Sequence, residues 1–273
     1  MNVNEAINYA KNKNLDSIEA LLILELILKT RKELIIANIK KSLTKREKKL
    51  FFNQIDKIKK GTPIHYILKK KEFMGIEFNL NKHVLIPRFD TECLVEEALI
   101  QIRKNGFEKI LDLCCGSGCI GLSIAHYMKK KVILSDISIK ALQIATKNTK
   151  KIKLEKFVEI IRSNLLNCIK GRLDIIITNP PYLNKEELEI KNKIIKEPAK
   201  ALLGFGKDGL NISRKILSQA KEKLNPNGII IIESAPWQIE SLKDFAIKKG
   251  FSHLKTIYDL EKRARALVLG QIA

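Results

Sequence analysis

The stretch Leu173-Asp174-Ile175-Ile176-Ile177-Thr178-Asn179-Pro180-Pro181-Tyr182 constrains the fold of this chain more than any other. Leu173 to Ile177 is an apolar run broken only by Asp174, the pattern of a parallel strand buried on both faces. Two consecutive prolines follow, and neither has an N–H to donate to a sheet ladder. The strand must stop there, and its carboxyl end is closed by a stiff turn. In an open α/β sheet that edge is where ligands bind. Taken alone, Asn-Pro-Pro-Tyr is also compatible with a plain turn, because Asn-Pro commonly starts one.

The turn has the right parts to hold a planar NH2 group. Such a group needs acceptors for two hydrogens. The Asn179 side-chain carbonyl is one, and the Pro180 main-chain carbonyl is a second. Pro181 stiffens the corner, and the Tyr182 ring can stack on a planar substrate. This is catalysis by positioning, in which a poor nucleophile is held at attack distance and angle. No acid–base residue is required, because the proton can leave after the nitrogen has become cationic.

With 273 residues, 45% of them hydrophobic, the chain suits one large domain and a small one. It has no run of 18 apolar residues, and its N-terminus lacks the basic-then-apolar plan of a signal peptide, so a cytoplasmic protein without membrane association is expected. Cys93, Cys114, Cys115, Cys119 and Cys168 are odd in number, and three are crowded. Their spacing suits neither a disulfide framework nor a zinc site, so reduced packed thiols and no metal are expected. The formal charge of +21 would ordinarily suggest nucleic acid. Only 9 of the 51 basic residues are Arg, however, and the lysines are scattered rather than gathered in one arm. A solvated surface accounts for them, with an RNA-rich partner as the sharper alternative.

Residues 1–70 read as helical, with Asp16-Ser17 and the capping box Thr44-Lys45-Arg46-Glu47 starting two of the helices. Leu50, Phe51, Ile55 and Ile58 are expected on one side of the second. Residues 71–89 read as a β-hairpin linker. In it Glu72–Leu80 alternates, Val84-Leu85-Ile86 is the second strand, and Asn81-Lys82-His83 is the turn. Residues 90–273 then alternate strand and helix, which places helices on both faces of a mostly parallel sheet. Asp90 or Thr91 is expected to cap the first of these helices. The last two strands, near 252–258 and 264–269, have no helix between them and are expected to pair antiparallel.

A second motif, Asp112-Leu113-Cys114-Cys115-Gly116-Ser117-Gly118, lies between the first strand of the sheet and its helix. Glycines there let a ligand approach the backbone. Asp136 follows Gly116 by twenty residues, the spacing at which a carboxylate meets ribose hydroxyls. Gly116, Gly118 and Gly121 also match the bare dinucleotide fingerprint, so this loop alone does not choose the cofactor.

The combination of glycine loop, strand-end acid and Asn-Pro-Pro-Tyr corner resembles class I S-adenosylmethionine-dependent methyltransferases that modify planar NH2 groups. The resemblance covers residues 84 to 273 and implies a Rossmann-like α/β domain, beside which the small N-terminal helical domain resembles the narrower family named next. Ile86-Pro87-Arg88-Phe89-Asp90-Thr91-Glu92, together with Glu197-Pro198-x-x-Ala201-Leu202, resembles the protein-glutamine N5-methyltransferases that act on peptide chain release factors. That resemblance implies S-adenosyl-L-methionine as cofactor and a release factor as partner; no direct nucleic-acid contact is expected, because no aromatic-studded basic stretch is visible, and a monomer is expected. By the same resemblance, Cys114, Cys115, Gly116, Ser117 and Gly118 line the methionine moiety and Asp136 holds the ribose. Leu165 lies beside the adenine, and Asn179 to Tyr182 grip the glutamine amide next to the cofactor. Two positions depart from the family. Phe89 stands where the family usually has Pro. Asn164 replaces an acid beside the adenine, which costs about 1 kcal/mol of cofactor affinity. A ribosomal-protein glutamine, an adenine N6 or a guanine N2 are the alternative substrates, and a non-enzymatic binding module is a further alternative.

Overall fold

In the computed structural model, which describes residues 1–194 and 196–271, the first helices begin where the sequence offers caps. Asn2 caps α1 (Val3–Lys11), Asp16 caps α2 (Ser17–Leu28) and Thr44 caps α4 (Lys45–Lys59), each through a reciprocal box with the Glu three residues on. Between them lies α3 (Lys32–Ala37), and α5 (Ile64–Leu68) follows. The central helix α2 packs against α1, α3 and α4 around Ile23, Leu24, Phe51 and Ile55. Leu50 is 38% exposed, contrary to expectation. Neighbouring helical residues point about 100° apart, and Phe51 takes the inner face. This unit comprises Met1–Lys70 with Lys191–Lys196, and the second comprises Lys71–Ile190 with Glu197–Ala273.

The hairpin forms, but not where the alternation placed it. Strands β1 (Lys70–Phe73) and β2 (Ile76–Asn79) flank a two-residue turn, Met74-Gly75. Both turn residues are left-handed, at φ 51° and 68°, as a tight hairpin turn requires. Val84 and Ile86 are fully buried, yet they pack from a loop and not from a second strand. Burial of apolar side chains needs no ladder, so an apolar triplet by itself does not specify a strand.

The remaining elements are α6 (Glu92–Asn105), β3 (Ile110–Leu113), α7 (Cys119–Met128), β4 (Val132–Asp136), α8 (Ile139–Lys151), β5 (Val158–Arg162), β6 (Leu173–Thr178), α9 (Lys185–Ile194), α10 (Asn211–Lys223), β7 (Leu224–Glu233), α11 (Ile239–Lys248), β8 (Phe251–Tyr258) and β9 (Ala264–Gln271). The sheet order is β5-β4-β3-β6-β7-β9-β8. All neighbours are parallel except β9, which runs antiparallel to both β7 and β8, as the missing final helix implies. This is the Rossmann-like arrangement expected for the large domain.

Successive isoleucines of β6 serve opposite faces. Ile175 and Ile177 join the core under α6, α7 and α8, while Ile176 joins the core under α10 and α11. Asp174, the one polar break in the run, holds the amino-terminal edge of the sheet together. Its Oδ2 accepts from the backbone N–H of Glu108 and Lys109, and its Oδ1 from Asn225 Nδ2 at 2.6 Å. Among the described residues, no helix is long and apolar enough to cross a membrane.

Candidate active site

Parallel register brings four strand ends to one edge of the sheet. Leu113 is opposite both Ser135 and Thr178, and Thr178 is opposite Ile232, so Asp136, Asn179 and Glu233 all leave the sheet on the same side. Strand order reverses at β3, between β4 and β6, and the crevice of an open α/β sheet lies at such a switch point.

The loop after β3 lies at this edge. Cys114, Gly116 and Gly118 are left-handed, at φ 61°, 54° and 80°. The five loop residues divide into two roles. Cys114 and Gly116 are partly exposed, whereas Cys115, Ser117 and Gly118 are buried behind them. A Cβ on Gly116 would meet nothing within 4 Å, so open space lies over it. A Cβ on Gly118 would lie 3.1 Å from Leu122 and 3.2 Å from Leu134, and one on Gly121 would lie 2.3 Å from Leu134. Those two glycines let α7 lie close on the sheet, which is why the fingerprint spacing did not identify a cofactor.

Asp136 braces the loop. Its Oδ2 accepts from Gly116 N–H at 2.9 Å and its Oδ1 from Ser138 N–H at 2.8 Å. Burial raises its pKa against those donors. Asp112, fully buried, accepts from Gly121 N–H through Oδ2, while its Oδ1 has no partner; burial pushes its pKa up to about 8. All five cysteines are free thiols, and burial pushes Cys119 up to about 12 and Cys114 and Cys115 higher still. Leu165 is half-buried and left-handed just past β5, and Asn164 beside it is exposed.

The Asn-Pro-Pro-Tyr corner is held from several directions. Thr178 Oγ1 donates to Leu113 O at 2.7 Å. A Cβ on Gly204 would fall 2.6 Å from Pro181 O and 2.8 Å from Tyr182 Cα, and one on Gly209 2.1 Å from Tyr182 O. Gln238 Nε2 donates to Tyr182 O at 2.8 Å and to Asp208 O at 2.6 Å. Pro180 is buried beneath Asn179 and Tyr182, which are partly exposed.

The segment 86–92 is wired into the same edge. Arg88 pairs with buried Glu197, so the two family-like segments are halves of one contact. Asp90 pairs with Arg265, and Glu92 Oε1 accepts from Met74 N–H at 2.7 Å in the hairpin turn. Thr91 was expected, like Asp90, to cap α6, and neither does: the helix has no side-chain cap. Instead Thr91 Oγ1 donates to Glu233 Oε2 at 2.8 Å and accepts from Asn179 Nδ2 at 3.2 Å. Tyr182 OH is 3.4 Å from Glu233 Oε1. Phe89, which replaces the usual proline, is 69% exposed, and Lys71 Nζ lies 4.8 Å from its ring centre. Local sequence reasoning missed Glu233, Arg265 and Gln238. Glu233 was visible in principle: like Asp136, it is an acid closing an apolar strand at the ligand edge.

Comparisons with known proteins identify the family. The family described as methyltransferase small domain matches residues 91–207, and the PrmC N-terminal domain matches residues 3–68. The release factor glutamine methyltransferase of Borreliella burgdorferi is 88% identical over 271 residues, covering 99% of this chain and 95% of its own. The release factor glutamine methyltransferase of Clostridium acetobutylicum is 37% identical, covering 90% of this chain and 88% of its own. Among solved structures, a methyltransferase from Pyrococcus furiosus has a TM-score of 0.56 at 19% identity, over 81% of this chain and 99% of that one, which shows the shared fold. Near-identity along almost the whole length, with separate matches to the helical and the sheet-bearing parts, means that the chain belongs to the release factor glutamine methyltransferase family.

Proposed function

We propose that this methyltransferase modifies the side-chain amide nitrogen (N5) of the glutamine in the Gly-Gly-Gln motif of peptide chain release factors, with S-adenosyl-L-methionine as donor. The observation that carries this is the orientation of Asn179. Its Nδ2 is turned to Thr91, which leaves its Oδ1 to accept from another group. An amide NH2 is such a group, and the Pro180 carbonyl supplies the second acceptor. The relatives at 88% and 37% identity are named as release factor glutamine methyltransferases, which supports this reading.

The loop residues fit the proposed donor. Asp112 has a buried oxygen without a partner, and Gly116 leaves space that a side chain would fill. Each Asp136 oxygen takes one backbone N–H and keeps a lone pair for a ribose hydroxyl. Cys114 to Gly118 would hold the methionine portion, Asp136 the ribose, and Leu165 the adenine. When bound, S-adenosylmethionine supplies an already activated sulfonium methyl group.

The protein's own task is alignment. An amide nitrogen is delocalised into its carbonyl and barely nucleophilic. Asn179 Oδ1 and Pro180 O, gripping both hydrogens, favour the geometry in which the nitrogen lone pair stands clear of the amide plane. Pro181 keeps the corner stiff, and Tyr182 offers its ring to the planar group. Most of the advantage then comes from orientation and the exclusion of water. In this scheme residues 1–70 grip the protein substrate, 71–89 link, and 90–273 carry out the chemistry. The enzyme acts as a cytoplasmic monomer with no direct nucleic-acid contact, its charge of +21 spread along the chain.

The test is to incubate the purified enzyme and donor with a release factor, a ribosomal protein and naked RNA, and to locate the added methyl group by mass spectrometry. The expected product is N5-methylglutamine in the Gly-Gly-Gln motif. Methylation of the RNA or of the ribosomal protein in place of the release factor overturns the assignment.

A further inference from the structure

We propose that Thr91 and Glu233 are positioning residues that fix which end of the Asn179 amide faces the substrate. This rests on the proposed grip of Asn179 on an amide NH2. An asparagine amide can be turned over at little steric cost, exchanging an acceptor for a donor. If it were turned, Asn179 would offer hydrogens to hydrogens and repel the group it must hold. The end that faces outward is therefore a functional choice, and something must make it.

The three residues form a polarised chain. A carboxylate is acceptor-only, and Glu233, 2% exposed, has Thr91 Oγ1 at 2.8 Å. A threonine hydroxyl has one proton, so donation to Glu233 leaves only lone pairs for Asn179. Asn179 must then present Nδ2 to Thr91, as it does at 3.2 Å, and Oδ1 to the substrate. Tyr182 OH, on the other Glu233 oxygen, links the stacking ring to the same carboxylate.

The same logic predicts a response to pH. A protonated Glu233 can donate to Thr91, whose hydroxyl is then free to donate to Asn179 Oδ1 and reverse the amide. The charged and titratable groups around Glu233 are Arg265 and Asp90, which pair with each other, Tyr182, Cys93 and Cys119. Cys93 and Cys119 are pushed up to about 12, and Tyr182 is raised above its ordinary range. Burial pushes Glu233 itself up to about 7, against the pull of the Thr91 hydrogen bond and Arg265. Glu233 therefore changes charge near neutrality.

The experiment measures kcat and KM for a release factor from about pH 6 to about pH 9 in the wild type and in Thr91→Val, Thr91→Ser, Glu233→Gln and Asn179→Ala, with donor binding followed by calorimetry. Thr91→Val is expected to lower kcat at least about tenfold with little change in KM or donor affinity. Thr91→Ser, which restores the hydroxyl, is expected to stay within about threefold of wild type. The wild type should lose kcat on the acid side, and Thr91→Val and Glu233→Gln should lack that limb. A residue that merely packs would leave the limb in place. If Asn179→Ala is inactive while Thr91→Val keeps the wild-type kcat and acid limb, the polarised chain is refuted and the grip stands. If Asn179→Ala turns over normally, the grip itself is refuted.

Discussion

In the proposed reaction, Asn179 concentrates chemistry in a single carbonyl oxygen just past the end of β6. Asn179→Ala removes that acceptor and leaves the loop after β3 untouched. Turnover is expected to fall at least about a hundredfold, the usual loss for one oriented hydrogen-bonding group at a reacting centre. Donor affinity should stay within about threefold, as calorimetry would show. Asn164 offers the opposite kind of change. It is exposed just past β5, where the family commonly has an acid. Asn164→Asp replaces a neutral acceptor by a charged one and is expected to tighten donor binding by about 1 kcal/mol, or roughly fivefold. An unchanged dissociation constant would show that this position does not meet the adenine. At this scale the motif residues Asn179 and Asp136 stood out in the sequence because each closes an apolar strand. Thr91 did not, since a Thr before a helix reads first as a cap.

At the scale of elements, the corner after β6 depends on a loop more than twenty residues further along. Gly204 and Gly209 leave room for the backbone of Pro181 and Tyr182, and Gln238 ties Tyr182 O to Asp208 O. Gly204→Ala would set a Cβ 1.9 Å from Gly209 O, and backbone cannot yield there without moving the corner. The variant is expected to lose about 2 kcal/mol or more of stability in urea titration and to lose turnover with it. The control Gly106→Ala meets nothing within 4 Å and strains only its own left-handed φ of 67°. It should cost about 1 kcal/mol and leave activity intact. None of this was legible locally, because a glycine records only that a side chain is absent and not which distant backbone passes by. The hairpin has a different explanation. Met74-Gly75 turns because both residues adopt φ > 0, and the alternation on either side hid the turn inside what read as one strand.

For the molecule as a whole, burying carboxylates at one sheet edge makes stability depend on pH. Glu233 rises from 4.5 to about 7 and Asp112 from 3.8 to about 8, with burial the largest cause in both. A raised acid binds its proton more tightly folded than unfolded. Its contribution is therefore fully present below the unfolded pKa and is lost as pH rises through the folded one. Wild-type stability should decline between about pH 4.5 and pH 7 on account of Glu233, and Glu233→Gln should flatten that part of the curve. Urea denaturation at pH 5 and pH 7.5 would show it. The variant's advantage should appear only at the higher pH.

The sequence by itself determined the buried parallel strand, its abrupt end at two prolines, the glycine loop with its strand-end acid, the helix caps at Asp16 and Thr44 and the antiparallel close of the sheet. Each of these follows from local covalent facts: a missing N–H, a missing Cβ, a period of two or of 3.6, a side chain that satisfies nearby N–H groups. Only the tertiary structure decided that Arg88 meets Glu197, that Asp90 meets Arg265, and that Thr91 stands between Glu233 and Asn179. These partners lie 88 to 175 positions apart, and charge or hydrogen-bonding capacity read along a chain does not say which partner the fold will bring within reach.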